Sequence, residues 1–278
     1  MGKRRGQPKP TPKRTGPTMA EKADRHILYE QAVQSVEDEI EFLGETFTAL
    51  RSREPILLRE DFCGTANVAC QWVRVNPEHR SVAVDIDADV LGWGRQHHVA
   101  ALSAEQKGRV KLVNDDVLTA ETEASDLTIA FNFSYWIFKA RDTMRSYFRA
   151  VHEHLKDDGL FFLDAFGGSE AYEDMKEKTK HNGFTYVWEQ AEFDPVTAHC
   201  VCHIHFNFPD GSRMVNAFSY AWRLWTLPEV RELLLEAGFK KATVYWEEED
   251  DDDDDGDYVP VEHGVNDPAW IVYIVAEK

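Results

Sequence analysis

The stretch ILLREDFCGTANVACQWV, residues 56–73, decides the fold class. An apolar run ends in two acids, Glu60 and Asp61, a short turn contains Gly64, and a helical pattern begins at once. In a doubly wound sheet, ligands related to nucleotides bind at such strand-to-helix turns, at the carboxyl ends of the strands. The stretch therefore predicts an α/β fold with a ligand site at this turn.

The segments around this stretch repeat the same alternation of short apolar strands and helices. Such alternation predicts a parallel sheet with helices on both faces. We assign this core to residues 54–166 and 227–278. Helices are predicted at residues 20–50, 66–75, 88–102, 141–159 and 228–239, and strands at residues 54–60, 81–87, 109–114, 126–131, 160–166, 241–247 and 270–277.

The alternation stops between about residues 184 and 226, where long aromatic segments are separated by the turn sequences DPVT (194–197) and PDGS (209–212). This pattern predicts an antiparallel β meander. We expect residues 167–226 to form a β-rich lid, inserted into the core, that covers the substrate.

Charge and composition exclude several classes of protein. The chain has 278 residues and a net charge of −19, so its acidic body would repel a nucleic acid backbone. It has no apolar run long enough to cross a membrane, and its 4 cysteines are too few for a disulfide scaffold. We therefore expect a cytoplasmic protein that binds neither nucleic acid nor membrane. The sequence does not determine its oligomeric state.

Two charged segments lie outside the predicted core pattern. Residues 1–18 contain basic residues but no acid, and we expect a disordered basic leader, which would be missing if Met19 rather than Met1 is the true start. Residues 247–257 are almost entirely acidic, and we expect an exposed acidic loop within the core.

Acids at the ends of the next strands indicate the kind of ligand. Asp85 ends the second strand, where an acid can accept both hydroxyls of a ribose, and Asp116 follows the third, where an acid can receive an adenine amino group. The turn lacks both G-x-G-x-x-G and the Walker lysine, so a pyrophosphate is disfavoured. Many acids suit a cationic ligand without phosphate, and S-adenosylmethionine is such a ligand.

With these residues the sequence resembles the class I S-adenosylmethionine-dependent methyltransferases, whose first motif is acid-x-Gly-x-Gly-x-Gly. Residues 60–66 read EDFCGTA, so Phe62 and Ala66 stand where that family has glycine. The resemblance implies a seven-stranded sheet whose last strand is antiparallel, and S-adenosylmethionine as the cofactor. It also implies that the helical segment at residues 19–53 covers the cofactor.

The resemblance further implies a role for each part of the cofactor site. Glu60 and the Gly64 turn would hold the methionine end, Asp85 the ribose, and Asp116 with Val117 the adenine. The predicted cofactor-binding residues are Tyr29, Glu60, Phe62, Gly64, Thr65, Asp85, Ile86, Asp116, Val117 and Asn132.

Two residues are candidates for catalysis. Tyr135 follows the fourth strand, where the family places contacts to donor and acceptor, and His203 lies in the histidine-rich strand HCVCHIH (199–205). Histidine can exchange a proton with an acceptor near neutral pH. The cysteines of this strand alternate with its histidines, so we predict no metal site. Aromatic residues of the meander could hold an amine or could form the core under the lid.

The sequence thus predicts methyl transfer from S-adenosylmethionine to a small molecule, with an amine nitrogen as the first choice. Transfer to an oxygen or to a protein side chain stays open, as does a binding protein that keeps the fold without catalysis. A nicotinamide-dependent oxidoreductase is disfavoured because the glycine-rich turn is missing.

Overall fold

The computed structural model describes residues 16–248 and 257–278. The predicted basic leader lies outside this part of the chain except for residues 16–18, and the acidic loop except for Glu247, Glu248 and Asp257. The strands are β1 Leu57–Asp61, β2 Arg80–Asp85, β3 Val110–Asn114, β4 Ser125–Ala130, β5 Leu155–Gly167, β6 Met175–His181, β7 Phe184–Asp194, β8 His199–Asn207, β9 Arg213–Arg223, β10 Lys241–Glu247, β11 Tyr258–Val261 and β12 Trp270–Glu277. The helices are α1 Met19–Lys22, α2 Arg25–Val33, α3 Val36–Arg51, α4 Asn67–Val75, α5 Ala88–His97, α6 Ala104–Lys107, α7 Arg141–His154 and α8 Leu227–Ala237.

The central sheet has the order β11-β10-β12-β5-β4-β1-β2-β3. Strands β1 to β5 pair in parallel, and β12 is antiparallel to both β5 and β10. This confirms the predicted doubly wound α/β fold. The sheet has eight strands rather than seven, because Tyr258–Val261 adds a short antiparallel edge strand beside β10.

Two apolar layers cover the two faces of the central sheet. One layer includes Leu43 and Phe47 of α3 and Trp72 of α4, and the other includes Tyr147 of α7 and Leu233 of α8, all fully buried. Helices on both faces leave the carboxyl ends of β1 to β5 as an open edge. This edge is where the sequence predicts the ligand site.

Three predicted helices have other boundaries, and one of them, predicted at residues 88–102, ends at His97. Residues 20–50 form three helices rather than one, since the Asp24 carboxylate caps α2 and the chain is extended again at Gln34. Helix α7 ends at His154 rather than near Gly159, because Leu155 already pairs with Ser125 and a bulge in that pairing lengthens β5.

The inserted segment forms a separate antiparallel sheet, β6-β7-β8-β9. The predicted meander is therefore present, with β6 as an additional strand. One face of this sheet packs Ile204, Phe206 and Ala217 against Leu28 of α2. Helix α2 thus lies between the inserted sheet and the core. Among the described residues, no helix has the length and apolarity that crossing a membrane requires.

Candidate functional site

The turn after β1 has an unusual backbone path. Phe62, Gly64 and Ala66 have φ angles of 56°, 52° and 57°, so all three adopt the left-handed conformation. This conformation favours glycine, and these are the three glycine positions of the motif that the sequence resembles. The turn therefore keeps the path of a glycine-rich loop. The ring of Phe62 packs on Phe138 and Tyr147, with ring centroids 5.8 and 5.5 Å away.

Acids at the strand ends hold this turn in place. The Asp85 carboxylate accepts hydrogen bonds from the backbone N–H of Gly64 and of Asp87, both at 2.8 Å. The Glu60 carboxylate accepts one from the N–H of Ala69 in α4 at 2.9 Å. Burial raises the pKa of both carboxyls. Asp85 thus holds the turn, and Glu60 holds the first turn of α4 that follows it.

Helix α5 approaches the turn closely at Gly94. A Cβ atom at Gly94 would lie 2.1 Å from the carbonyl oxygen of Thr65. Only glycine lets the helix and the turn backbone pack at this distance. Gly94 therefore lets α5, the helix that follows β2, pack directly on the turn and fix its position.

A small cavity of about 140 Å³ opens at this turn, and we name it the turn cavity. It lies between the turn, the end of β4, α2 and the lid residues Phe218 and Tyr220. Six of the predicted cofactor residues line it: Tyr29, Glu60, Phe62, Gly64, Thr65 and Asn132.

The other four predicted cofactor residues lie along the neighbouring strand ends, outside the lining of the turn cavity. Ile86 is 72% exposed, beside the Asp85 carboxylate. Asp116 accepts the N–H of Leu118 at 2.9 Å and is half-buried. Val117 is buried in the core, so its side chain is not available to a ligand and only its backbone is.

Helix α2 covers the turn cavity and is tied to the core by polar contacts. Glu30 accepts a hydrogen bond from the Thr65 hydroxyl at 2.7 Å and pairs with His98 Nε2 at the same distance. The Trp93 indole N–H donates to Asp24 at 2.7 Å. These contacts place the ring of Tyr29 against Phe218 of the lid, with centroids 5.0 Å apart.

A larger cavity of about 610 Å³ lies between the central sheet, α3 and the inserted sheet, and we name it the meander cavity. Tyr29, Asn132 and Tyr220 line both cavities. The two cavities therefore meet at these three residues. A group bound in one would lie next to a group bound in the other.

The meander cavity is acidic. Among the described residues that line it there are five carboxyl side chains and no lysine or arginine. The buried ones belong to Glu39 and Asp164, and the more exposed ones to Glu170, Glu177 and Glu247. Such a lining favours a cation and disfavours an anion.

Asp164, at the end of β5, shapes the junction of the two cavities. Its carboxylate accepts the backbone N–H of Asn132 at 2.6 Å and of Phe133 at 2.9 Å. Both of these residues have positive φ angles, so the Asp164 side chain stabilises a strained turn after β4. Burial raises the pKa of Asp164 to about 7.

Glu39 is brought to the meander cavity by α3. Its side chain is buried, and Oε2 has no hydrogen-bond partner among the described residues. Burial, with Asp164 and Asp38 nearby, raises the pKa of Glu39 to about 8.

Aromatic rings form much of the wall of the meander cavity. Trp188 and Trp222 have ring centroids 6.3 Å apart, and Tyr220 stacks on Trp222 at 4.4 Å. These rings pack against one another and also line the cavity, so both interpretations of the sequence, contact with a ligand and core packing, stay predictions. The aromatic lining residues are Tyr29, Phe133, Phe166, Tyr186, Trp188, Tyr220, Trp222, Tyr258, Trp270 and Tyr273.

The positions of both predicted catalytic residues argue against that role. Tyr135 is fully buried below the cavities, and its hydroxyl donates to the backbone carbonyl of Asp164 at 2.8 Å. His203 contacts the Ser219 hydroxyl through Nδ1 at 2.8 Å. Since its neighbour Ile204 lines the cavity, strand alternation turns His203 to the outer face of the lid.

The sequence reasoning missed Glu39 and Asp164. The sequence does carry a signal for Asp164, because this acid interrupts the apolar strand LFFLDAF (160–166) near its carboxyl end, where the other strands also have acids. Glu39 had a weaker one, since it follows Val36 by three residues and precedes Leu43 by four, on the buried face of α3.

Comparisons with known proteins agree with this architecture. Residues 63–161 match the family model of a methyltransferase domain. No curated protein sequence matches the chain.

Solved structures with the same fold cover almost the whole chain. One is an S-adenosylmethionine-dependent methyltransferase from Clostridium acetobutylicum, with 16% identity, a TM-score of 0.66 and coverage of 91% of this chain and 96% of that one. An amino pentose methyltransferase from Micromonospora echinaspora has 14% identity and a TM-score of 0.64, covering 91% and 95%. A sugar N-methyltransferase from Streptoalloteichus has 13% identity and a TM-score of 0.62, covering 98% and 99%.

The matched domain and the shared fold identify the class of protein. Residues 63–161 form a methyltransferase domain, and the chain shares its fold with S-adenosylmethionine-dependent methyltransferases. These findings support the family, the class of enzyme and the cofactor predicted from the sequence.

Proposed function

We propose that this methyltransferase transfers a methyl group to the nitrogen of a small-molecule amine. One observation carries the proposal. The turn cavity and an acidic, aromatic cavity without lysine or arginine among its described lining residues meet at Tyr29, Asn132 and Tyr220.

The residues around the turn suit S-adenosylmethionine. The lining of the turn cavity includes the acids Glu60 and Asp61 and, among the described residues, no lysine or arginine, which fits a donor that carries an ammonium and a sulfonium. Asp85 would accept hydrogen bonds from the ribose hydroxyls with its remaining lone pairs. The exposed side chain of Ile86 would pack on the adenine, and Asp116 would receive its amino group. Bound there, the cofactor supplies a methyl group activated by positive sulfur.

The meander cavity suits an amine. Carboxyl groups favour an ammonium ion over a neutral alcohol, and the faces of Trp188 and Trp222 attract cations. The same carboxyls would repel a phosphate or a carboxylate on the acceptor. Methyl transfer requires mainly that the acceptor is aligned and shielded from water, and the lid and α2 would do both.

The names of several structural neighbours are compatible with this acceptor. They name an amino pentose methyltransferase, a sugar N-methyltransferase and a glycopeptide N-methyltransferase. At 13–18% identity these likenesses support the fold alone. The proposed acceptor therefore rests on the lining of the meander cavity. Phe62, which stands where the family has glycine, keeps the left-handed path of the turn.

The proposal is tested with S-adenosylmethionine carrying a ¹³C-methyl group and matched acceptors. Benzylamine is compared with benzyl alcohol, and glucosamine with glucose and with glucosamine 6-phosphate. We expect at least one of the two amines to be methylated on nitrogen about 100-fold faster than its alcohol, a ratio typical of one well-placed ionic contact. We also expect the phosphate to reduce the rate on glucosamine. Methylation of the alcohols at similar rates, or of neither amine, would contradict the proposal.

A further inference from the structure

Glu39 is a buried carboxyl whose surroundings leave it uncompensated. It is 8% exposed and lies on the same face of α3 as Ile40 and Leu43, yet it lines the meander cavity. Its Oε2 has no hydrogen-bond partner among the described residues. A buried carboxylate with an unpaired oxygen is costly, so its retention in a cavity points to a ligand group that completes it.

The charged and titratable groups that face Glu39 come from four elements and offer no compensation. They are Asp38 on α3 itself, Glu60 on β1, Asp164 on β5 and Tyr273 on β12. All four are acidic groups, so none of them carries a positive charge that would balance the Glu39 carboxylate. A cationic group in the cavity would therefore find Oε2 of Glu39 as an unpaired acceptor.

The second buried carboxyl of this cavity is already committed to the fold. Both oxygens of Asp164 accept backbone N–H groups of the turn after β4. Asp164 thus positions Asn132 at the junction of the cavities. Glu39, by contrast, has a free oxygen atom.

We propose that Glu39 is the base that removes a proton from the acceptor ammonium before methyl transfer. This inference rests on the proposed function, that the acceptor is an amine. The N-terminal helices would then supply residues on both sides of the reaction: Tyr29 beside the donor and Glu39 beside the acceptor.

The step balances without any further reagent. The Glu39 carboxylate takes one proton from R–NH₃⁺ and becomes the carboxylic acid, leaving the neutral amine. The nitrogen lone pair then attacks the methyl carbon, and the carbon–sulfur bond breaks with its electrons going to sulfur. The products are the N-methylammonium and S-adenosylhomocysteine, and Glu39 returns its proton to water when the product leaves.

The acid–base properties of Glu39 support this role. Its pKa of about 8 is closer to that of an alkylammonium than the ordinary value of 4.5 is. Proton transfer from the bound ammonium is easier when the two pKa values approach each other.

The test compares two acceptors of similar shape that differ in charge. Benzylamine is protonated at neutral pH and needs a base, whereas O-benzylhydroxylamine is neutral and needs none. We expect Glu39→Gln to lower kcat/KM for benzylamine by about 100-fold or more, and for O-benzylhydroxylamine by less than about threefold. In the wild type, kcat/KM for benzylamine should rise with pH through the pKa of Glu39, whereas in the variant it should rise only at higher pH, as free benzylamine itself loses its proton.

Two further variants control the test. Glu37→Gln makes the same chemical change at an exposed position of α3 and should leave both rates unchanged. Glu39→Asp keeps a carboxylate and should restore part of the rate on benzylamine. An equal loss on both acceptors, or a loss on neither, would overturn the role of Glu39 as the base. If the wild type methylates no amine, the proposed function fails first, and the inference with it.

Discussion

The turn cavity and the meander cavity differ in how their linings are distributed along the chain. Seven of the 17 residues that line the first cavity, residues 60–65 and Val68, belong to a single strand–turn–helix unit nine residues long. The second takes residues from Tyr29 to Tyr273, contributed by α2, α3, the ends of β4 and β5, the lid and β12. A local unit can be recognised in a sequence, whereas a site assembled from distant elements cannot.

The two cavities also differ in what holds their acids. In the turn cavity, Glu60 bonds to the backbone of α4, and Asp85 beside it bonds to the turn. In the meander cavity, Asp164 bonds to the backbone but Glu39 has a free oxygen. The acids of the turn cavity, on the side of the methyl donor, are thus bonded to the backbone. The meander cavity, on the side of the acceptor, has one carboxyl oxygen that is unpaired among the described residues.

The largest effect is expected on the donor side, from Gly94→Ala. The new methyl group would overlap the carbonyl oxygen of Thr65, 2.1 Å away, and we expect a loss of about 3 kcal/mol in the free energy of unfolding. Urea denaturation measures it. Gly92→Ala is the control on the same helix, because its Cβ would meet nothing within 4 Å. Equal stability of the two variants would show that the turn is not held by α5.

The next effect is expected on the acceptor side, from the pH dependence of stability. The folded-state pKa of Glu39 is about 8, above its ordinary value of 4.5, so the folded protein binds the proton more tightly. This contribution to stability is present below pH 4.5 and is lost as the pH rises to about 8. Glu39→Gln should remove this loss.

Urea denaturation at pH 5 and pH 8 measures the difference between the two proteins. We expect Glu39→Gln to gain about 3 kcal/mol relative to the wild type between these two pH values. Asp164 titrates in both proteins, so its effect largely cancels in the comparison. A constant difference across this range would mean that Glu39 is ionised and solvated in the folded protein.

A somewhat smaller effect is expected from Asp85→Ala on cofactor binding. The substitution removes the acceptor of the Gly64 N–H and the proposed partner of the ribose. Affinity for S-adenosylhomocysteine should fall by about 1.5–3 kcal/mol in titration calorimetry. Asp89→Ala removes an exposed carboxylate four residues away and should change little. Unchanged affinity of the Asp85 variant would refute its assignment to the ribose.

The smallest effect is expected from Ala66→Gly. Ala66 has a φ of 57°, where glycine is favoured, and this gain offsets the lost burial of one methyl group. We expect a change in stability within about 0.5 kcal/mol. Ala69→Gly, at a buried position of α4, should cost about 1.5 kcal/mol, measured in the same way. Equal costs would mean that the left-handed path is not strained at Ala66.

The sequence was informative wherever neighbouring residues carry the signal. Local patterns predict the succession of strands along the chain and the turn at Gly64. They also predict the acids after β1, β2 and β3, since each acid follows an apolar run. The eighth strand could not be predicted, because Tyr258–Val261 is short and pairs only at the edge of the sheet.

The acceptor side depends on tertiary contacts that the sequence does not show. His203 seemed suited to catalysis by its chemistry, but a strand exposes alternate residues to opposite faces, and only the packing of the lid decides which face meets the core. Tyr135 follows the right strand, yet its hydroxyl bonds beneath the site to the carbonyl of Asp164. Glu39 lies more than 120 residues from Asp164 in the chain, and the fold alone brings both to one cavity.

The most direct test of the two-cavity account is titration calorimetry with S-adenosylhomocysteine, with NAD as the control ligand. We expect S-adenosylhomocysteine to bind with a Kd in the micromolar range and NAD not to bind, since acids surround the turn and its sequence lacks the glycine-rich pyrophosphate motif. Binding of NAD, or no binding of S-adenosylhomocysteine, would contradict it.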